Sequence, residues 1–133
     1  MLVALRALAL PLVLALGACS QETMLLESDV PLPDGMSTVR SADIRRAAGT
    51  VSGGTFLLSG PVTDARGDLE LCSSRYADAG WFVVKSDGNS DTASAIYAKD
   101  TRVVDLTLRR RALEPRMSMG SLTVQTPVRA PTP

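Results

Sequence analysis

Between Gly60-Pro61 and Gly80 runs the stretch whose apolar residues recur with the period of a helix: Ala65, Leu69, Cys72 and Tyr76, at spacings of four, three and four. Thr63 is placed to cap it, Asp64 and Asp68 suit the positive end of its dipole, and Gly80 stops it by taking a left-handed conformation at low cost. Its neighbours read with period two. Residues 50–59 form a strand with Phe56 and Leu58 on one face and a bulge or bend at Gly53-Gly54. Residues 81–85 are apolar on both faces, and 93–98 return antiparallel after a polar turn. In residues 102–110, Val104, Leu106 and Leu108 alternate with Asp105, Thr107 and Arg109, and Leu122 and Val124 mark a last strand after a loop around Pro115. A single amphipathic helix among such strands must bury its face on a sheet, so the fold class is α+β: one main helix packed on a small antiparallel sheet of four to five strands, in the order strand, helix, meander. Tyr76 and Trp81 are expected to be buried on the sheet side of the helix stop. Residues 41–49 fit either a helical turn or two between Ser41 and Gly49, or an irregular strand.

Upstream, Arg6 precedes an apolar core over residues 7–16, closed by Leu16-Gly17-Ala18-Cys19. A spanning helix needs roughly 20 apolar residues to cross about 30 Å of hydrocarbon, and this core is much shorter, as in a cleavable signal. Leu16-Gly17-Ala18-Cys19 resembles the lipobox of a bacterial lipoprotein precursor. The resemblance implies cleavage before Cys19, a diacylglycerol thioether on its sulfur and an acyl chain such as palmitate on its new amine. The membrane is then a partner through lipid alone, since several acyl chains hold where one is marginal. Ser20 stands where an aspartate commonly retains such proteins in the inner membrane, which implies the outer membrane, facing the periplasm, with the inner membrane as the other address. An ordinary secretory signal cut after Ala18 is the alternative. The division is a signal peptide at 1–18, a lipid-anchored tether at 19–36, a single domain at 37–126 and a disordered proline-rich tail at 127–133. Within the tether, the apolar island Met24-Leu25-Leu26 rests on either the bilayer or the domain. The stretch from Gly60-Pro61 through Tyr76 to Gly80-Trp81 and the following hairpin also resembles small uncharacterised bacterial lipoproteins, a likeness that brings no chemistry with it.

Acidic and basic residues balance at 14 each in the 133-residue chain, so no strong field points to nucleic acid. The absence of histidine removes imidazole bases and histidine-containing zinc sites. Neither Lys85 nor Lys99 has a serine three residues before it, as serine-lysine catalysis would want. Cys72 is left without an intramolecular partner once Cys19 is lipidated; on the apolar helix face it reads as a small core residue. Asp87, Asn89 and Asp91 alternate like calcium-loop ligands, but Thr92 and Ala98 stand where that loop wants glycine and glutamate, which leaves a polar hairpin turn. Asp64, Asp68 and Glu70 are explained by the helix start.

One cluster keeps functional interest: Arg109, Arg110 and Arg111 at a strand end, with Arg116 nearby. Planar guanidinium groups in one neighbourhood can hold phosphate or carboxylate bidentately, on an anionic envelope polymer or an envelope protein; a solvated strand end that blocks edge pairing is the other account. The reading is a non-enzymatic, lipid-anchored envelope protein that binds or scaffolds, without cofactor or metal. A weak carboxylate-based hydrolase and a carrier of a small apolar ligand between helix and sheet are the alternatives.

Overall fold

A computed structural model describes residues 23–127. After a short 3-10 turn at Leu25–Glu27 come β1 (Ser37–Ala47), β2 (Thr50–Gly60), α1 (Ala65–Asp78), β3 (Phe82–Gly88), β4 (Thr92–Lys99), β5 (Arg102–Arg109), a second 3-10 turn at Pro115–Met117 and β6 (Ser118–Gln125). The strands form one antiparallel sheet in the order β1-β2-β6-β5-β4-β3. Helix α1 carries the chain from the β2 side to the far edge, and the meander then works back until β6 fills the gap beside β2.

The α+β class holds, but the sheet has six strands where four to five were expected. The additional strand is β1, which spans most of the stretch that fitted a helical turn equally well. No residue of β1 is buried, and its pairing with β2 slips around Asp43, whose φ is 55°. A strand with no inward face leaves no alternation to read.

One face of the sheet is apolar. Phe56 and Leu58, Ala93, Ala95 and Tyr97, Val104, Leu106 and Leu108, and Leu122 and Val124 are all buried there, against Ala65, Leu69, Cys72 and Tyr76 of α1. Tyr76 stacks on Tyr97 with ring centroids 3.9 Å apart, and Trp81 meets Tyr76 edge-on at 5.9 Å. Tyr76 and Trp81 are thus buried at the helix stop, as expected. That stop is a Schellman turn: Gly80, at φ 91°, donates to the Ala77 carbonyl and Trp81 donates to that of Tyr76. The helix start lies one residue later than expected. Asp64, not Thr63, is the cap, its carboxylate accepting from the Gly67 amide, while Asp68 accepts from the Thr63 amide.

The stretch read as a tether up to residue 36 is instead built into the domain from Met24 onward. Leu25, Val30, Leu32 and Met36 are all buried in the same core. The segment folds back on itself, Leu25 donating to the Val30 carbonyl and Leu32 to that of Thr23, and then turns at Asp34-Gly35. Gly35 takes a φ of 74° there. At Gly60 a Cβ would stand 2.4 Å from the Gly35 carbonyl oxygen, so the strap and the end of β2 cross backbone to backbone. Sequence alternation missed this because the four apolar residues are spaced irregularly, with neither a helix nor a strand period.

Among the buried rings one hydroxyl is satisfied and one is not. Ser73 Oγ donates to the Leu69 carbonyl and so accepts the Tyr97 hydroxyl proton at 2.7 Å, whereas Tyr76 Oη has no hydrogen-bond partner among the described residues. Tyr97→Phe should therefore cost about 1 kcal/mol, while Tyr76→Phe should be neutral or stabilising, because it removes a desolvated group that gains nothing. Urea midpoints of the two variants, compared with wild type, check the contrast.

Candidate functional site

The antiparallel register gives the sheet two ends. At one lie the 47–50 turn, the 99–102 turn and the start of β3; at the other lie the 88–92 turn and the loop from Arg110 to Ser118. Helix α1 starts beside the second, with Ala65 and Arg66 donating to the Ser90 and Asn89 carbonyls, and finishes at the first. The strap runs between the two ends: Gly35 crosses Gly60 at the second, and the tip of the fold between Leu25 and Val30 packs at the first. Arg46 at the end of β1 donates to the Leu26 carbonyl, and Met24 borders an open surface hollow together with Arg75, Asp78 and Ala79 at the helix finish.

Two arginines lock the strap there. Arg75 reaches from α1 to the carbonyls of Thr23 and Leu32 and to the Asp34 carboxylate. Arg102, only 8% exposed, places its two terminal nitrogens on the two oxygens of Asp29 at 2.7 and 2.6 Å. Lys99 Nζ adds a third contact to Asp29 at 2.8 Å and binds the Ala79 carbonyl at the helix C-terminus, where a cation is favoured. Trp81 closes the group, its indole nitrogen donating to the Asp29 carbonyl and its ring lying 4.9 Å from the Arg102 guanidinium carbon. The hydrogen bond from Arg102 holds the Asp29 carboxyl well below the usual carboxylate range, against burial, which pushes the other way, and Lys99 reinforces it.

This clasp was not singled out in the sequence, although one signal was present. Arg102 shares the inward register of β5 with Val104, Leu106 and Leu108, and a charge in a buried register demands a counter-charge. Asp29 carried no such signal, because its neighbours read as a solvated tether.

The arginines that were singled out lie at the opposite end, and only Arg109 and Arg116 fall in regular elements. Arg109 is the last residue of β5 and is exposed. Strand alternation stops there, so Arg109 and Arg111 do not share a strand face as expected. Arg110 pairs with Asp91 through its backbone amide at 2.7 Å and its guanidinium at 3.5 Å. Arg111 leans on the Met117 carbonyl, and Arg116 is exposed in the second 3-10 turn. Cys19, the signal residues 1–18 and all but the first residue of the 127–133 tail lie outside the described residues.

The remaining candidates are accounted for by structure. Asn89 Oδ1 accepts the Asp91 and Thr92 amides, which makes the Asp87-Asn89-Asp91 run a polar turn. Burial pushes the Cys72 thiol up to about 12, so it stays protonated. A cleft of about 160 Å³ lies between the strap and α1, lined by Pro33, Met36, Pro61, Leu71 and Cys72 among others. Ligand sites typically enclose roughly 300–1,000 Å³. Among the described residues no helix is long and apolar enough to cross a membrane. No protein-family model, curated protein or solved structure matches the chain.

Asp29 makes the clasp acid-sensitive. Its folded pKa is depressed, so its stabilisation is fully present above the unfolded value near pH 4 and is lost as pH falls toward the folded one. The urea midpoint should therefore drop between about pH 5 and pH 2. Asp29→Asn keeps the shape but leaves Arg102 without its counter-charge; it should cost about 3 kcal/mol at neutral pH and flatten that drop. An unchanged slope in the variant would place the acid sensitivity elsewhere.

Proposed function

We propose that the chain is a lipid-anchored envelope protein, fixed by Cys19 to the outer membrane on its periplasmic side, that acts without catalysis by binding or scaffolding. The observation that carries this reading is how near to Cys19 the described chain is already held in the domain. Thr23 is only four positions after Cys19 and is already held by Arg75. Four residues reach at most about 14 Å, so an anchor at Cys19 would hold the clasp end of the domain close to the lipid surface. The eight residues of β5 span roughly 26 Å, which would display Arg109, Arg111 and Arg116 on the side away from the membrane.

A partner met by that end would approach from the periplasm: an anionic envelope polymer or the acidic surface of another envelope protein. The hydrolase alternative is less favoured, because Asp64 and Asp68 are engaged in holding the helix start and Glu70 faces Arg66. The apolar carrier is less favoured because the Tyr76-Tyr97 stack fills the space between helix and sheet.

Two measurements test the proposal. Intact mass of the full chain extracted from membranes should correspond to a mature protein beginning at an acylated Cys19, and Cys19→Ser should lose both the lipid mass and membrane partitioning. A mature N-terminus elsewhere would overturn the anchor. For the arginine end, detergent-solubilised mature protein should be retained by peptidoglycan sacculi or lipopolysaccharide at low salt and released as salt rises. Arg109→Ser with Arg111→Ser should abolish retention while moving stability by no more than about 0.5 kcal/mol. Equal retention by variant and wild type would exclude these arginines as the polymer contact.

A further inference from the structure

Strand β3 is an edge strand, bonded on one side only to β4, and it opens with three consecutive exposed apolar residues: Phe82 at 62%, Val83 at 46% and Val84 at 59%. Phe82 pairs with Ala98 and Val83 with the buried Tyr97, so the two point to opposite faces of the sheet. The register slips between Val83 and Lys85, which leaves Val84 as an extra residue bulging from the edge. Apolar side chains thus surround the corner where β3 begins. Edge strands usually carry charge or proline at such positions, and this one carries its lysine only afterwards.

The place of this corner in the fold gives it an occupant. Phe82 is three residues beyond Ala79, which borders the same surface hollow as Met24, so the apolar corner and the strap's entry lie near the helix finish. Three residues, Ser20, Gln21 and Glu22, separate Thr23 from Cys19. A lipid held on a reach of about 14 Å from Thr23 would keep that end close to the bilayer.

We propose that Phe82, Val83 and Val84 rest on the same lipid surface that receives the Cys19 acyl chains, as a second membrane contact that fixes the orientation of the domain. This rests on the proposed anchoring at Cys19. The outer backbone groups of an edge strand need hydrogen-bond partners, which hydrocarbon lacks, so the contact sits at the headgroup level with the side chains dipping beneath it. The exposed charges at this end are of both signs, Glu27, Asp78 and Asp100 beside Arg45 and Arg46, so the contact does not require anionic lipid.

The test uses the full-length chain, processed and acylated in a bacterial host, reconstituted into phosphatidylcholine vesicles. Cys72 is 2% exposed, so a nitroxide label goes selectively to Val84→Cys, or to Leu113→Cys at the opposite end as a control. Accessibility to oxygen relative to a water-soluble nickel chelate should be severalfold higher at position 84 than at position 113, and insensitive to salt. Equal, water-like accessibility at both positions, with protein on the vesicles and an acylated Cys19 by mass, overturns the docking and leaves the anchor standing. Mature protein lacking acyl mass, and free of the vesicles, overturns both. Immobilisation of the label at 84 without vesicles, together with a doubled particle mass, assigns the edge to a second copy and also overturns the proposal.

Discussion

The Asp29-Arg102 pair ties the strap to the sheet. Without it Arg102 would sit in an apolar register with the Val51 carbonyl at 3.3 Å and the Trp81 ring as its partners among the described residues. A buried ion pair is seldom the most stabilising filling for its volume, since desolvation offsets much of the attraction. Position is what it supplies here: an apolar side chain at residue 29 could slide along the core, whereas two carboxylate oxygens facing two guanidinium nitrogens have one register. Lys99 joins the same carboxylate to the helix C-terminus, so strap, sheet and helix meet at one acidic side chain.

The parts legible in the sequence are those that bury one face of a regular element. The helix was readable from Ala65, Leu69, Cys72 and Tyr76, and these four are its buried residues. Strands β4, β5 and β6 announce themselves by alternation because one face of the sheet is covered and the other is wet. Strand β1 was not readable, because a strand whose side chains are all solvated or only half covered has no hydrophobic pattern to display. The strap failed differently: it has a strong apolar content, but its burial follows turns and crossings rather than a period. Short-range chemistry, proline and Asp-Gly, marked its turn correctly and said nothing of what it packs on.

The arginine run illustrates the same limit at the level of a site. Three consecutive basic residues are conspicuous in a sequence, yet the strand stops at the first, and the second is paired with Asp91 across the neighbouring turn. The most buried ion pair among the described residues, Asp29 with Arg102, joins residues 73 positions apart. Only the sheet register brings them together, through the β4-β5 turn and the return of the strap across it.

A rigid exit changes what a lipid anchor would do to a domain. A flexible tether of 18 residues spreads its ends over roughly 5–6 Å multiplied by the square root of that number, about 23 Å, enough for a small domain to tumble above the surface. Here the chain is held by Arg75 at Thr23, and what would have been tether is core. With so little slack, the direction in which the strap leaves the domain would set which surface meets a bilayer, and the clasp that holds the strap would help to fix that choice. Orientation would then follow from folding, which also brings the apolar start of β3 to that end. The far end, with its exposed arginines, would face the periplasmic space because Asp29, at the other end, has one place to go.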